Sequence, residues 1–265
     1  MQKFVGTILV IVVCLVSLST SVQAQTTYEV PVGGIALVGF DFANDYFAFV
    51  CLSPIPMGTD VLFTDNGWSS SLNNFRTGEG TNLWSPVTEC KLGDVIFTSS
   101  GALSQYQGTT MSLSTSGDQI FVFQKKIDGS PRLIFGLNSD GDDWLPNSTY
   151  PNVNQSNIPN ELAILTPKPA VAIPEKDYGY YQGPRGFDTT TEALASITNS
   201  SNWKSSDSAL TIPTTPFSFT TTAVHLSDFK ATTERETAPW WIIAGLVVIP
   251  VLVMVFKKPK KDCCK

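Results

Sequence analysis

The amino-acid sequence predicts an all-β fold, a sandwich of short strands, on three observations. Short apolar or alternating runs recur from residue 35 to residue 137. Gly, Pro, Asn and Asp punctuate them, as turns do between strands. Only one segment has the periodicity of a helix. Many strands with almost no helix bury their apolar faces most simply as two packed sheets.

Taken in order, residues 1–24 read as a secretory signal. Lys3 precedes the apolar run "FVGTILVIVVCLVSL", and Val22 and Ala24 offer the small-residue cleavage pattern. The expected extracellular domain spans 25–219. Its strands are "IALVGF" (35–40), "YFAFVCL" (46–52), "DVLFTD" (60–65), "GDVIFTS" (93–99), "QIFVFQ" (119–124) and "RLIFGL" (132–137), with "ELAILT" (161–166), "AVAI" (170–173) and "FSFT" (217–220) as weaker additions. "IPMGT", "DNG", "STSGD" and "IDGSP" supply turns, and segments 66–90 and 138–160 read as long loops. "TTEALASI" (190–197) is the predicted helix, with a threonine cap.

From 220 to 238 apolar periodicity disappears and threonine is frequent, the pattern of a stalk. Residues 239–256 are apolar, opened by Trp240 and Trp241, interrupted by Pro250 and followed at once by Lys257, Lys258, Lys260 and Lys261. That pattern predicts one membrane-spanning helix with an aromatic belt and a stop-transfer tail. The predicted location is the plasma membrane, single-pass, with the N-terminus outside. In the tail at 257–265, Cys263 and Cys264 are expected palmitoylation sites.

Between 25 and 238 there are 22 acidic and 11 basic residues, so this portion carries about −11. Such a charge opposes binding to nucleic acid. Its only two cysteines, Cys51 and Cys90, are expected to form a disulfide in an oxidising compartment. Asn147, Asn154 and Asn199 head Asn-x-Ser/Thr sequons and are expected glycosylation sites.

The strings "GGIALVGFDFANDYFAFVCLSPIPMGTDVLFTDNGW", "FRTGEG", "LSTSGDQIFVFQ", "FGLNSDGDDW", "SNIPNEL" and "ITNSSNW" resemble an uncharacterised secreted module common in bacterial extracellular proteins, often beside C-terminal anchors. The resemblance covers roughly residues 33 to 207 and is distantly similar to lamin-tail, immunoglobulin-like sandwiches. It implies a fold and no chemistry. The chain departs from that pattern at Cys51 and Cys90, two positions able to pair with each other.

The chain has one histidine, His225, in the predicted stalk. A Ser-His-Asp triad or a histidine zinc site on the domain is thereby excluded. Carboxylate pairs such as Asp65 with Glu79, or Asp142 with Asp143, are the remaining route to catalysis. Acids in loops are usually solvated, and the sequence predicts no enzyme. In "FTDNGW" (63–68), Asn66-Gly67 is expected to form a tight turn with positive φ, with Asp65 bonding the following amides. Trp68 and Trp84 are then expected to fold over the end of the core, and Arg76 to pair with Glu79. This is architecture first, with Trp68, Phe75 and Arg76 as the alternative recognition anchors.

"DYGYYQGPRGF" places Tyr178, Tyr180, Tyr181 and Arg185 in a turn-rich segment suited to binding. "NSDGDDW" offers Asn138, Asp140, Asp142 and Asp143 as oxygen ligands for calcium, the one cofactor the sequence entertains, although a surface turn explains the same residues. The expected function is adhesion or recognition of an extracellular protein or glycan. A surface coat without a ligand and a carboxylate glycoside hydrolase are the alternatives.

Overall fold

The computed structural model describes residues 28–220 apart from Gly108. The signal segment, nearly all of the stalk with His225, the spanning run at 239–256 and the tail with Cys263 and Cys264 lie outside the described residues. Among those described, no helix is long and apolar enough to cross a membrane.

The chain runs through β1 (Ile35–Asp41), β2 (Tyr46–Cys51), β3 (Val61–Thr64), β4 (Trp68–Ser69), β5 (Asn74–Phe75), β6 (Thr81–Trp84), β7 (Val95–Phe97) and β8 (Ser104–Gln107). It continues through β9 (Gln119–Lys125), β10 (Pro131–Asn138), a short helix α1 (Asn160–Ala163), β11 (Ala170–Ala172), β12 (Tyr178–Tyr181) and β13 (Gly186–Phe187). Helix α2 (Thr190–Ile197), β14 (Trp203–Ser206) and β15 (Ser218–Phe219) complete it.

One sheet has the order β14-β12-β1-β2-β7 and is antiparallel throughout. The other has the order β11-β10-β9-β3-β6-β8, with a single parallel pairing between β10 and β11. The main core lies between them and takes Phe40, Phe47 and Phe49 from the first sheet and Phe63, Trp84, Ile120 and Val122 from the second. Phe63 sits 5.0 Å from both Phe47 and Phe49. The described residues form a sandwich-like, mostly β fold with few helices.

A second apolar cluster explains why "QIFVFQ" shows no polar alternation. Side chains alternate between faces along a strand, and β9 sends Ile120 and Val122 into the main core and Phe121 and Phe123 to the opposite face. That face meets Trp68, Leu133, Trp144 and Leu162 rather than water. A strand covered on both faces reads as a continuous apolar run.

Several expectations need correction. "ELAILT" begins with helix α1, not a strand. The tyrosine-rich segment read as turns is β12, which pairs with β1 on one side and β14 on the other. Segment 66–90 is not only loop, because it contains β4, β5 and β6. The helix at 190–197 is where the sequence put it. Thr189 accepts from the Glu192 amide, and Glu192 returns a bond to the Thr189 amide, closing a capping box.

Cys51 and Cys90 are disulfide-bonded across a sequence separation of 39. Ile55 and Cys90 also exchange both backbone hydrogen bonds, at 2.9 Å each. In the chain-entropy account a loop of this length contributes about 4 kcal/mol, and measured values run from about 2 to 4 kcal/mol. Reduction of the full chain is therefore expected to lower its urea midpoint by the equivalent of that range. An unchanged midpoint under reductant would show that the bridge is dispensable.

Candidate functional site

The segment 63–68 is a junction for four parts of the chain. The Asn66 side chain donates to Thr64 Oγ1 at 2.8 Å and to the Gly80 carbonyl at 3.1 Å, and it accepts from the Glu79 amide at 3.2 Å. Asp65 Oδ2 accepts from the Ser112 amide at 2.8 Å. Gln119, fully buried at the start of β9, donates its side-chain amide to the Asp65 carbonyl and to Asp118 Oδ1. On the far side the Trp68 amide donates to Ser156 Oγ at 2.9 Å, and the Asn157 amide to the Trp68 carbonyl at 3.0 Å.

The expected tight turn at Asn66-Gly67 is not formed, since neither residue has positive φ. Gly67 is required by space instead. A β-carbon there would stand 2.4 Å from the Gln155 carbonyl oxygen.

Three carboxyls share this junction. Burial pushes Asp65 up to about 6, against the opposing effect of the Ser112, Asp65 and Gly80 amides. Burial raises Glu79 to about 7, with the Asp65 charge adding to the rise and Arg76 and the Gly67 amide opposing it. Asp118 is raised to about 8 by burial, with repulsion from Asp65 and Glu79 added and amide bonds from Ser114 and Gln119 opposing. Asp65 and Asp118 are 1 % and 2 % exposed, whereas Glu79 is half-exposed. Five buried side-chain atoms among the described residues have no hydrogen-bond partner: Asp65 Oδ1, Gln119 Oε1, Asn138 Oδ1, Ser139 Oγ and the donor Arg76 Nη1. Buried polar atoms are nearly always paired, so such a concentration calls for a physical account.

The predicted anchors around 68–76 are mostly interior. Trp68 is buried in the second cluster, edge-on to Phe75 at 5.3 Å, while Trp84 lies in the main core against Phe49. The two tryptophans thus serve opposite faces of one sheet and do not cap a common end. Arg76 and Glu79 feel each other's charge, yet no contact within 4.0 Å closes between them among the described residues. The Arg76 guanidinium lies 5.8 Å from the centre of the exposed Tyr150 ring.

At 178–187, Tyr181 is fully buried and bonds the Pro184 carbonyl and the Ser196 hydroxyl. Arg185 lies 4.8 Å over Phe217 and bonds the Thr215 and Pro213 carbonyls. Tyr178 and Tyr180 are half-buried on β12, where Lys204 lies 6.0 Å from the Tyr180 ring. Tyr181 and Arg185 thus spend their polar groups within the domain, while Tyr178 and Tyr180 stay partly exposed.

The proposed ligands at 138–143 do not converge. Asn138 is buried and donates to the Asp143 carbonyl, Asp143 Oδ1 accepts from the Trp144 amide, the Asp140 carboxyl meets the Gln155 side chain, and Asp142 is exposed. Among the described residues, no three His, Cys, Asp or Glu side chains are grouped to hold a metal by themselves. Of the sequons, Asn147 and Asn199 are exposed, whereas Asn154 is half-buried with its side-chain nitrogen 3.2 Å from Ser114 Oγ.

A surface feature that the sequence did not mark lies where the edges of the two sheets meet. A groove of about 530 Å³ is lined by Leu83, Trp84, Val87, Ile96 and Leu103, with Glu89 and Asp94 as its acids and no Lys or Arg. β7 is the last strand of its sheet, and Val95, Ile96 and Phe97 are all half-exposed. No family model, curated protein or solved structure matches the chain.

Proposed function

We propose that this is a single-pass cell-surface protein whose extracellular, immunoglobulin-like and lamin-tail-like sandwich mediates adhesion by recognising a partner protein. The signal segment, stalk and apolar C-terminal run support the placement. The groove beside β7 supports the recognition and is the observation that carries the reading. Edge strands are ordinarily protected by charge, proline or bulges, and "VIF" has none of these. An extended partner segment adds to such an edge through backbone hydrogen bonds and selects through alternate side chains. Here one face of that segment would meet Leu83, Trp84 and Leu103, and the acids select a basic residue beside the apolar ones.

The test uses the full chain and an acetylated peptide of alternating valine and lysine, compared with one of alternating serine and glutamate. Saturable binding of the first alone is expected, weakened at least tenfold in Leu103→Asp and severalfold in Glu89→Lys. Absence of saturable binding to peptide would leave a surface-coat role. Binding that survives Leu103→Asp would place recognition elsewhere on the domain.

A further inference from the structure

The polar layer around Gly67 has an excess of oxygen. The Glu79 amide donates to Asn66 Oδ1 at 3.2 Å, which holds this residue at the junction, and its carboxyl feels the Asp65 charge and the Gly67 amide. The Gln155 carbonyl oxygen lies 2.4 Å, and Gln119 Oε1 3.7 Å, from where a β-carbon would stand on Gly67. Gln119 is fully buried, its amide nitrogen is committed to Asp65 and Asp118, and its Oε1 has no donor. Asp65 Oδ1, on a residue 1 % exposed, has none either.

Two carboxyls, an amide oxygen and a main-chain carbonyl form a set that hard cations prefer, and two of its buried oxygens, Asp65 Oδ1 and Gln119 Oε1, have no donor. Calcium takes six to eight such oxygens and accepts carbonyl and amide ligands beside carboxylates. It does not need three acids. Arg76, the basic side chain acting on Glu79, lies 5.8 Å from the Tyr150 ring centre, closes no ion pair with Glu79 within 4.0 Å and leaves its own buried Nη1 without an acceptor. Asp45 also acts on Asp65, with its Oδ1 already bonded to the Leu113 amide, and Asp118 is a further neighbour whose Oδ1 accepts from Gln119.

We propose that the Gly67 junction is a calcium site, with Asp65, Glu79 and Gln119 as side-chain ligands and the Gln155 carbonyl beside them. Its role is structural, because the ion would join the loop at 66–80 to β9 and to the segment at 153–157. The site is separate from the groove at β7 and from the acidic loop at 138–143. It stands or falls independently of the adhesion reading.

The experiment uses the full chain, stripped with chelator and then titrated with calcium or with terbium as its luminescent substitute. Calcium is expected to raise Tm by several degrees and to bind at least tenfold more weakly in Glu79→Gln. The half-exposed Glu79 makes that variant a mild one for folding. Asp142→Asn is expected to change neither value. In Trp68→Phe, whose ring is one residue from Gly67, terbium luminescence should fall by at least half while the calcium midpoint holds. No Tm response to calcium, or an affinity that Glu79→Gln leaves intact, overturns the proposal. Loss of binding in Asp142→Asn with Glu79→Gln unaffected overturns it in favour of the 138–143 loop.

Discussion

Replacing Gly67 by alanine is expected to destabilise the protein by about 3 kcal/mol, the upper part of the range for forced overpacking. The added carbon would lie 2.4 Å from the Gln155 carbonyl oxygen, which belongs to the backbone and cannot rotate away. Relief requires moving the 153–157 segment. That segment is fastened to the same loop by the Trp68 amide on Ser156, the Asn157 amide on the Trp68 carbonyl, and the Ser70 amide on Asn157 Oδ1. Strain at Gly67 therefore spreads to the second apolar cluster. Gly58→Ala is the control. Gly58 has a φ of +77° but nothing within 4 Å of its missing β-carbon, so only the left-handed backbone is penalised, at about 1 kcal/mol. Urea denaturation of both variants checks this. A Gly67→Ala loss no larger than that of Gly58→Ala would show that the segment at 153–157 yields freely.

In chelator, stability is expected to fall as pH rises from about 5 to 8.5. Asp65, Glu79 and Asp118 all titrate higher in the folded chain than unfolded, at about 6, 7 and 8. The folded state then binds more protons than the unfolded one between the two sets of values, and the slope of stability against pH is negative. Their contribution is fully present below pH 4 and is lost as pH passes through the folded values. The total is at most on the order of 10 kcal/mol, with the half-exposed Glu79 adding less than its shift implies because water screens it. Asp118→Asn is expected to flatten the curve above pH 7. It should also lower stability at pH 5, because the Ser114 amide loses the acceptor it meets at 2.8 Å. The slope is therefore the readout. A wild-type curve flat from pH 5 to 8.5 would mean that the three carboxyls ionise in the fold without penalty.

How much of this was legible beforehand depended on whether a signal was local. The β1, β2, β3, β9 and β10 strands carry apolar runs long enough to be read alone. The helix at 190–197 announces itself through Thr189 and Glu192 three residues apart. β6, β8, β12 and β14 were missed because "TNLW", "SQYQ", "YGYY" and "WKSS" gain strand geometry from their neighbours and not from their own composition. The Tyr178 and Tyr180 positions are strand positions only because β1 and β14 flank them.

The same division runs through the site. "STSGD" was visible as turn chemistry and Asp65 and Glu79 as a possible carboxylate pair, while "DNG" suggested a tight turn that does not form. Asp118 and Gln119 went unnoticed as site residues, although an acid and an amide directly before "IFVF" mark polar groups entering a buried strand. No local pattern says that Gln119 reaches Asp65, 54 positions away in the sequence.

By itself, the sequence determined the β class, the disulfide pair, the position of the one well-capped helix and the acidic balance of the domain. These follow from composition and short spacings, which act through local backbone preference and simple counting. Tertiary structure alone decided that Trp68 and Trp84 serve opposite faces, that Gly67 answers to space and not to φ, and that three carboxyls share one junction. It also decided that a groove opens beside β7. Each of those depends on which distant segments are brought within a few ångströms, and close packing sets such distances only once both sheets are assembled.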